Sequence, residues 1–421
     1  MQKFKRIKGT QDILPEQTIN WRHIESTIHQ CMELYNYKEM RTPVFEQTEL
    51  FTRSTGEYTD IVTKEMYTFK DRGKRSITLK PEMTPPILRA YLENNLDAIS
   101  GFNKLYYIAP LFRQENPQAG RLRQFTQFGA EAIGAASPEI DTETILLALE
   151  VFSRLHIKGL KLLLNSVGDP SCRNKYIKLL KEYIRPKLSN YCNDCKERYK
   201  KNPLRILDCK NRSCKELNSK APVLVNNLCA ECADHFEQVQ KSLSDNKIDF
   251  SLEPNLVRGL DYYTRTVFEI ISSDLGSQDA ICGGGRYDLL IEQLGGKPTP
   301  AVGFAAGIER LLLIMDAQSL LTNSYRDLDI YIANLGPKAA NISSSLVQRL
   351  RSLNYITDMD YLNRSLKAQM REANRQNAKI VILIGDNEIE KNHFVIKNMN
   401  KSEQEIVPFT EIESYLKKIS L

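Results

Sequence analysis

The feature that most constrains the fold is a pair of strand-like segments, LYYIAPLFRQE at 105–115 and RQFTQFGAEAIG at 123–134, joined by a turn-rich segment. Side chains alternate between the two faces of a strand. One face of the second segment therefore carries Phe125, Gln127, Gly129 and Glu131, and one face of the first carries Leu111, Arg113 and Glu115. If these faces coincide, one sheet surface holds a cation, two carboxylates, an amide and a glycine gap. We predict that this hairpin forms the floor of a polar ligand site.

The length and the changes of pattern along the chain predict several domains. The chain has 421 residues, more than one typical domain contains. Helices and strands are mixed in the first part, a Lys- and Cys-rich helical segment follows, and strands alternate with helices after residue 328. The predicted domains are 1–170 with 251–325 (main domain), 171–250 (inserted helical, Cys-rich domain) and 328–421 (C-terminal α/β domain), with a linker at 316–327.

Three local patterns predict individual elements. Helical spacing of Ile24, Ile28, Cys31 and Leu34 predicts a helix over 21–37. Pro43 limits the register of the segment 40–51 and favours an edge or interface strand. The segment ICGGGRYDLL is interpreted as a strand followed by a turn at Gly283–Gly285.

Composition gives weaker constraints on the partners and the compartment. The formal net charge is +6, which permits an anionic partner without requiring one. The sequence contains no long apolar run, and no apolar core follows the basic residues at its start. We predict a cytoplasmic protein without a membrane segment.

Polar or charged side chains stand beside glycine in four separated segments, and several of them are arginines. A buried guanidinium stays protonated and needs an anionic partner, and a phosphate matches its fork of N–H donors. Arg310 follows Gly307 at a predicted helix start, where anions are also favoured. One such arginine alone is more often a surface ion pair. The sequence has no Walker-type loop and no dinucleotide fingerprint, so the phosphate interpretation depends on Arg113, Arg258, Arg286 and Arg310 occurring in one chain.

The segments that carry these residues resemble, in order, those of histidyl-tRNA synthetases, which are class II aminoacyl-tRNA synthetases. The resemblance covers nearly the whole chain. KGTQDILP resembles the opening of that family, RTPVFEQTELF its motif 1, FRQENPQAGRLRQFTQFGAE its motif 2, GFAAGIERLLLI its motif 3, and LVRGLDYYTRTVFEI and GGGRYD two segments particular to the histidine enzyme. The resemblance implies an α+β fold: a class II antiparallel sheet with flanking helices, a helical insertion, and a C-terminal α/β anticodon-binding domain.

The resemblance also implies an activity and a set of site residues. The enzyme would form histidyl-adenylate from histidine and ATP, release pyrophosphate, and transfer histidine to tRNA(His). Arg258 and Arg113 would stabilise charge at the α-phosphate. Histidine would contact Glu82, Thr84, Gln127, Glu131, Tyr262, Tyr263 and Tyr287. ATP would contact Arg113, Glu115, Phe125 and Arg310, with Mg²⁺ whose ligands are unassigned. The tRNA acceptor end would contact Gln118, Arg121 and Arg123. Motif 1 implies a homodimer.

Two alternatives remain open at the level of sequence. The first is a different class II synthetase with a similar C-terminal domain, against which RGLDYY and GGGRYD argue. The second is a non-catalytic synthetase paralogue that senses histidine or tRNA. Such proteins tend to lose motif arginines or the C-terminal domain, whereas both are present here.

Six cysteines follow the spacing C-x₂-C-x₁₃-C-x₄-C-x₁₄-C-x₂-C between Cys192 and Cys232, and His235 lies three residues later. Two CxxC units are compatible with a tetrahedral structural zinc ion. Six cysteines are nevertheless more than one zinc ion needs, and free cysteine is an ordinary buried residue. Structural zinc is therefore the less favoured interpretation.

Overall fold

The computed structural model describes residues 4–56, 59–118, 120–207, 209, 211–278, 280–322, 327–401 and 403–419. The chain divides into two compact units, Met1–Thr322 and Asn323–Leu421. Residues 323–326 of the predicted linker lie outside the described residues.

The helices of the first unit are α1 (Pro15–Leu34), α2 (Thr48–Thr55), α3 (Thr84–Glu93), α4 (Leu96–Ile99), α5 (Pro138–Arg154), α6 (Pro170–Ile184), α7 (Asn193–Lys201), α8 (Arg212–Asn218), α9 (Ala230–Asp245), α10 (Leu290–Gln293) and α11 (Ile308–Ala317). Its strands are β1 (Lys38–Glu39), β2 (Phe45–Gln47), β3 (Tyr67–Lys70), β4 (Ser76–Leu79), β5 (Asn103–Phe112), β6 (Gln124–Ile133), β7 (Leu160–Ser166), β8 (Phe250–Leu252), β9 (Thr264–Ser272), β10 (Ala280–Arg286) and β11 (Ala301–Gly307). The second unit contains α12 (Pro337–Ser352), α13 (Leu366–Arg375), α14 (Asp386–Glu390), α15 (Ile412–Lys418), β12 (Ile330–Asn334), β13 (Thr357–Met359), β14 (Ile380–Ile384), β15 (His393–Asn398) and β16 (Gln404–Pro408).

A large sheet organises the first unit, with the strand order β1-β5-β6-β11-β10-β9-β7-β8 in the described residues. The strands from β5 to β7 in this order pair antiparallel, and the edge strands β1 and β8 pair parallel to their neighbours. Helices α1, α5, α9 and α11 contribute to the apolar core on one face, and α3 contributes to the core on the other. The predicted α+β architecture, an antiparallel sheet with flanking helices, is confirmed.

The register of the β5–β6 hairpin confirms that its two polar faces coincide. Leu111 pairs with Phe125, Ala109 with Gln127, and Leu105 with Glu131. The intervening residues Phe128, Ala130 and Ala132 are buried against the α1 and α5 side of the sheet. This alternation leaves the odd-numbered positions of β6 for the opposite face, where the polar residues lie.

The glycine run was predicted as a turn, and this prediction is wrong. Gly283, Gly284 and Gly285 lie inside β10, paired with both β9 and β11. A Cβ at Gly283 would overlap the guanidinium of Arg258, and a Cβ at Gly284 would overlap the ring of Phe268. Glycine is present because side chains and backbone approach this strand closely, and not because the chain turns.

Two other local predictions are partly wrong. In the segment 40–51 only β2 is a strand, and α2 begins immediately after it; β2 does lie at the edge of a three-stranded sheet, β2-β4-β3. The periodic helix exists as α1, but Leu34 is 64% exposed at its C-terminal end. Helical spacing alone does not reveal where a helix leaves the surface that it packs against.

The segment 171–250 is helical, as predicted, but its last helix belongs to the main core. Phe236, Val239 and Leu243 of α9 are buried in the core that also includes α1 and α5. Tyr176 and Ile184 of α6 are buried in the core on the opposite face of the sheet. The described part of the insertion is therefore packed within the first unit, and its independence as a domain stays a prediction.

The second unit is an α/β fold with the strand order β13-β12-β14-β15-β16 in its described residues. Strands β13, β12 and β14 are parallel, and β15 and β16 continue the sheet antiparallel. The near-continuous apolar segment of β14 is almost entirely buried, which is typical of parallel strands covered on both faces. No helix among the described residues of either unit has the length and apolar character that a membrane crossing requires.

Candidate active site

A cavity lies on the polar face of the large sheet, between the β5–β6 hairpin and the strands β9, β10 and β11. Residues predicted to bind ligands make up much of its wall: Glu82, Thr84, Arg113, Glu115, Arg121, Phe125, Gln127, Arg258, Tyr262, Tyr263, Tyr287 and Arg310. The chain places these residues in four segments that are far apart in sequence. The sheet brings them together, as expected from the four polar segments and the family resemblance.

Arg258 occupies one side of the cavity, where it pairs with Glu269 of β9. Its guanidinium lies against Gly283 of β10, in space that any larger residue at that position would fill. The side chains of Arg258 and Glu269 remain 20% and 23% exposed, so the ion pair faces the cavity. The guanidinium therefore has a fixed position and still has N–H donors available to an anion.

Three further arginines, Arg113, Arg121 and Arg310, lie close together on the other side of the cavity. Arg113 donates from Nε to the carbonyl oxygen of Pro81 at 2.8 Å, and its guanidinium lies 5.3 Å from the ring centroid of Phe125. Arg310 donates to the carbonyl oxygens of Gly120 and Ala280. Burial lowers the pKa of Arg310, and the positive charges of Arg121 and Arg113 lower it further. Such clustering of like charges is unfavourable unless an anion offsets it.

A group of buried polar residues forms the inner end of the cavity. Thr84 donates from its hydroxyl to Glu131 at 2.9 Å, and the hydroxyl of Tyr287 donates to the same carboxylate. Glu82 accepts the backbone N–H of Thr84 at 3.3 Å, and its Oε1 atom has no hydrogen-bond partner among the described residues. Tyr262 lies over this group. The centroid of its ring is 4.7 Å from the ring centroid of Tyr263.

The two carboxyl groups at this end have pKa values far above their ordinary range. Burial raises the pKa of Glu82 to about 7, against the opposing effects of the Thr84 backbone N–H and the Arg113 charge. Burial raises the pKa of Glu131 to about 8, against the opposing hydrogen bonds from Tyr287 and Thr84. A ligand that brings a positive charge or N–H donors would stabilise both carboxylates in their ionised form. Perturbed groups of this kind are typical of binding and catalytic sites.

Three predicted site residues do not line the cavity. Glu131 is not itself among the lining residues, but its carboxylate accepts hydrogen bonds from Thr84 and Tyr287, which are. Gln118 forms a tight turn with Arg121, outside the cavity. Arg123 donates to the carbonyl oxygens of Glu115 and Lys8, both at 3.3 Å, and so fixes the N-terminal segment to the hairpin. Arg121, which the sequence analysis groups with Gln118 and Arg123, does line the cavity.

Arg286, which the sequence grouped with the phosphate-binding arginines, has a structural role instead. It is completely buried and pairs with Asp141 of α5 and with Asp288. His235 faces the same aspartate of α5, with 3.6 Å between Nε2 and Oδ2 of Asp141, and it is not part of a metal-ligand cluster among the described residues. A buried guanidinium needs an anionic partner, and here the fold supplies it.

Three residues of the site were missed in the sequence. Glu269 holds Arg258, Gly283 makes room for it, and Glu309 accepts the backbone N–H of Thr126 at 2.8 Å and 3.0 Å.

Strand alternation could have found one of these three residues. Phe268 and Ile270 of β9 are buried on the α1 and α5 side of the sheet, whereas Val267 is buried on the opposite side, where the cavity lies. Glu269 is two residues from Val267 and therefore shares its face. A carboxylate between the apolar residues Val267 and Ile271 on that face is the signal in the sequence. No signal in the sequence pairs Gly283 with Arg258.

Replacing Gly283 with alanine should lower the rate of the adenylate formation that the sequence resemblance implies by about 10²-fold, because a displacement of about 1 Å at a positioned group costs this much. The new methyl group would overlap the flexible end of Arg258, which can move at little cost to the fold. Pyrophosphate exchange measures the rate, and thermal unfolding checks the fold.

Gly101→Ala is the matched control for this substitution. A Cβ at Gly101 would have no atom within 4 Å, and the residue is not among those that line the cavity. Its exchange rate should equal that of the unchanged protein. A Gly283→Ala variant with an unchanged exchange rate would contradict the position assigned to Arg258.

Comparisons with known proteins identify the family of this chain. A family model described as histidyl-tRNA synthetase matches residues 9–311, and one described as an anticodon binding domain matches residues 329–419. A histidine–tRNA ligase of Acetivibrio thermocellus is 48% identical over 410 residues, which cover 97% of this chain and 98% of that protein.

Solved structures give the same result. Apo histidyl-tRNA synthetase of S. aureus superposes with a TM-score of 0.84 at 39% identity, covering 99% of this chain and 100% of that chain. A Bacillus halodurans protein, described as an ATP phosphoribosyltransferase regulatory subunit/histidyl-tRNA synthetase, shares the fold with a TM-score of 0.63 at 22% identity, covering 91% of this chain and 98% of that chain. On the strength of the family model and of relatives similar over nearly their whole length, this chain belongs to the histidyl-tRNA synthetase family.

Proposed function

We propose that this protein attaches histidine to its cognate tRNA in two steps. The histidine carboxylate attacks the α-phosphorus of ATP, pyrophosphate leaves, and histidyl-adenylate forms. A terminal ribose hydroxyl of the tRNA then attacks the activated carbonyl carbon, and AMP leaves. The observation that carries this proposal is the convergence of Arg113, Arg258 and Arg310 on a cavity that ends in Glu82 and the hydrogen-bonded Thr84–Glu131–Tyr287 group.

Positioning and charge stabilisation are sufficient for the first step, because neither reactant needs a nucleophilic side chain. Arg113 and Arg258 would bind the α-phosphate from opposite sides and stabilise the charge that develops on it. Arg310 would bind the γ-phosphate. Phe125 would present a flat surface to the adenine.

Enzymes of this kind use ATP together with Mg²⁺, and Glu115 fits a role in holding the ion. Its carboxylate lies in the cavity between Arg113 and Arg121. Its buried Oε2 atom is 3.4 Å from Nη1 of Arg121 and accepts no hydrogen bond among the described residues. Carboxylate oxygens are suitable ligands for this hard cation. When bound, Mg²⁺ would neutralise part of the charge on the outer phosphates.

The inner end of the cavity would select histidine by matching both polar ends of the amino acid. Glu82, Thr84 and Gln127 would hold the α-amino group. Glu131 would accept an imidazole N–H, and Tyr263 would pair with the other ring nitrogen. Tyr262 and Tyr287 would enclose the ring. A site of this kind rejects analogues without the ring nitrogens by about 10⁴-fold, because its own polar groups would be left unpaired.

Histidine binding should release about one proton at pH 7.5, because the cationic amino group and the imidazole N–H favour the ionised forms of Glu82 and Glu131. In the free protein these carboxyls have pKa values of about 7 and about 8, so a fraction of each is protonated at this pH. Since binding releases protons, the affinity for histidine should increase as the pH rises from about 7 to about 8.5. Calorimetry in buffers of different ionisation enthalpy measures the released protons.

The control for this experiment is Glu82→Gln, which removes one of the two ionisable groups. It should bind histidine with weaker affinity and release fewer protons. Proton uptake on binding by the unchanged protein, or an affinity that falls over the same pH range, would contradict the assigned roles.

The remaining proposals concern the partners. Arg121 would contact the tRNA acceptor end, with Gln118 and Arg123 shaping the same loop, and the second unit would bind the anticodon. We further propose that the protein is cytoplasmic. We also propose that it forms a homodimer through motif 1, because Val44, which precedes the edge strand β2, and Phe45, the first residue of β2, are 41% and 54% exposed. Phe45→Asp should convert the dimer to a monomer in light-scattering measurements. A monomeric unchanged protein would contradict this proposal.

Aminoacylation tests the proposed function as a whole. Purified protein, ATP, Mg²⁺ and total bacterial tRNA should transfer radioactive histidine into acid-precipitable tRNA, and removing ATP should abolish the transfer. Histidine binding without transfer would instead indicate a non-catalytic paralogue.

A further inference from the structure

Seven of the nine cysteines lie in two clusters within the insertion. The tip cluster consists of Cys192, Cys195, Cys209 and Cys214, and the base cluster consists of Asp169, Cys172, Cys229 and Cys232. In each cluster, one potential ligand atom from every residue lies within 4.8 Å of all the others. We propose that each cluster binds one structural zinc ion, so that the chain carries two.

The tip cluster has the spacing that tetrahedral zinc requires. Four thiolates at about 2.3 Å from zinc lie about 3.8 Å from one another. The Sγ atoms of Cys192 and Cys209 are 3.8 Å apart. The backbone N–H of Cys192 also donates to the Sγ atom of Cys214 at 3.4 Å, and hydrogen bonds of this kind orient metal ligands and balance their charge. Three of the four cysteines are buried, as expected for a closed structural site.

The base cluster combines three thiols with one carboxylate. One carboxylate oxygen of Asp169 caps α6 by accepting the backbone N–H groups of Ser171 and Cys172. The other oxygen lies 3.9 Å from the Sγ atom of Cys229 and is placed to act as the fourth ligand. Gly168 has a φ of +61°, and a Cβ there would lie 2.5 Å from the Sγ atom of Cys172. The chain is therefore shaped to bring this thiol close.

The alternative explanations fit the geometry less well. All nine cysteines are free thiols, so the clusters are not disulfide-linked. Isolated buried cysteines are common in apolar cores, but such cysteines do not converge in a group of four and a group of three. Paired CxxC units in a protein of a reducing compartment are more often metal ligands than disulfides. Six cysteines are more than one zinc ion needs, but the fold divides them between two sites and adds Cys172 and Asp169 to one of these sites.

The base cluster joins the start of the first helix of the insertion to the start of its last helix. Asp169 and Cys172 stand at the start of α6, and Cys229 and Cys232 stand at the start of α9. Next to Cys172, the guanidinium of Arg173 donates to the carbonyl oxygens of Val167, Gly168 and Tyr263. An ion at this position would therefore fix the base of the insertion beside a cavity residue.

The tip cluster encloses a segment that contacts the loop of Arg258. Between Cys195 and Cys209, Arg205 donates to the carbonyl oxygen of Gly259 at 2.7 Å, and Asn202 donates to Asp261 at 2.7 Å. Zinc at the tip cluster would therefore hold this segment against the loop, without taking part in the chemistry.

Metal analysis of the purified full-length protein tests the proposal. Elemental analysis should find about two zinc ions per chain. Cys195→Ser should remove about one ion from the tip cluster, Cys232→Ser about one from the base cluster, and the two together about two. Cys31→Ala, which changes a cysteine outside both clusters, should retain both ions.

A second measurement uses the unchanged protein and does not depend on the folding of the variants. Titration with an organomercurial, followed with a zinc-sensitive dye, should release two zinc ions as seven thiols react, and substitution with Co²⁺ should give the visible spectrum of tetrahedral thiolate sites. The proposal would be overturned if the protein contained no zinc or only one zinc ion per chain. It would also be overturned if all variants contained the same amount of zinc, which would indicate an adventitious ion only.

Discussion

Replacing Arg258 with histidine will lower the rate of histidyl-adenylate formation by about 10³-fold or more and leave the protein folded. Positioned cations at a reacting phosphate contribute stabilisation of this size. The neighbouring Glu269 is 23% exposed to the cavity, so water can solvate its carboxylate after the guanidinium is removed. Pyrophosphate exchange driven by histidine measures the loss.

The matched control is Arg89→His. Arg89 also pairs with a glutamate, Glu46, and its side chain is similarly shielded at 27% exposure, but it lies outside the cavity lining. This variant should retain the exchange rate, and both variants should show a cooperative thermal transition. Arg258→Lys should recover part of the rate, because the charge returns without the fork of donors. An exchange rate that survives in Arg258→His would remove this residue from the mechanism.

Replacing Glu131 with glutamine should lower kcat/KM for histidine by about 10³-fold, because an imidazole N–H would lose its carboxylate acceptor in a buried site. The side chain of Glu131 is 1% exposed, and it already accepts hydrogen bonds from Thr84 and Tyr287. The loss should appear mainly in the KM for histidine, while the KM for ATP should change little.

Glu143→Gln provides the comparison for this substitution. Glu143 pairs with Lys104 outside the cavity lining, and its loss should leave both KM values unchanged. If Glu131→Gln raised the KM for ATP and not that for histidine, the inner end of the cavity would have been assigned to the wrong substrate.

The polar face of the hairpin could be predicted because strand alternation is a strict two-residue period, whereas the rest of the cavity wall followed from the family resemblance. Once Phe125, Gln127 and Glu131 share a face, pairing with the preceding strand decides which side of the sheet becomes polar. The glycine run was misread because a Gly-Gly-Gly sequence is compatible both with a turn and with a strand that another group approaches closely. Only the folded chain shows that Arg258 occupies that space.

The CxxC spacing indicated a possible zinc site, but the division of the cysteines into two clusters and the structural role of Arg286 could not be predicted from the sequence. Both depend on contacts between residues that are far apart in sequence. Asp169 and Cys172 join Cys229 and Cys232 only because α6 and α9 begin side by side. Arg286 likewise meets Asp141 of α5 through the packing of that helix on the sheet. The spacing of residues along the chain does not show which distant residues come into contact.

The measurement that tests the central claim most directly is pyrophosphate exchange with each of the twenty amino acids, in the presence of ATP and Mg²⁺ and without tRNA. The cavity requires that histidine alone supports exchange, since only histidine supplies both the amino group and the ring nitrogens that the buried carboxylates and phenols can pair with. Exchange with another amino acid and not with histidine, or no exchange with any, would contradict the account.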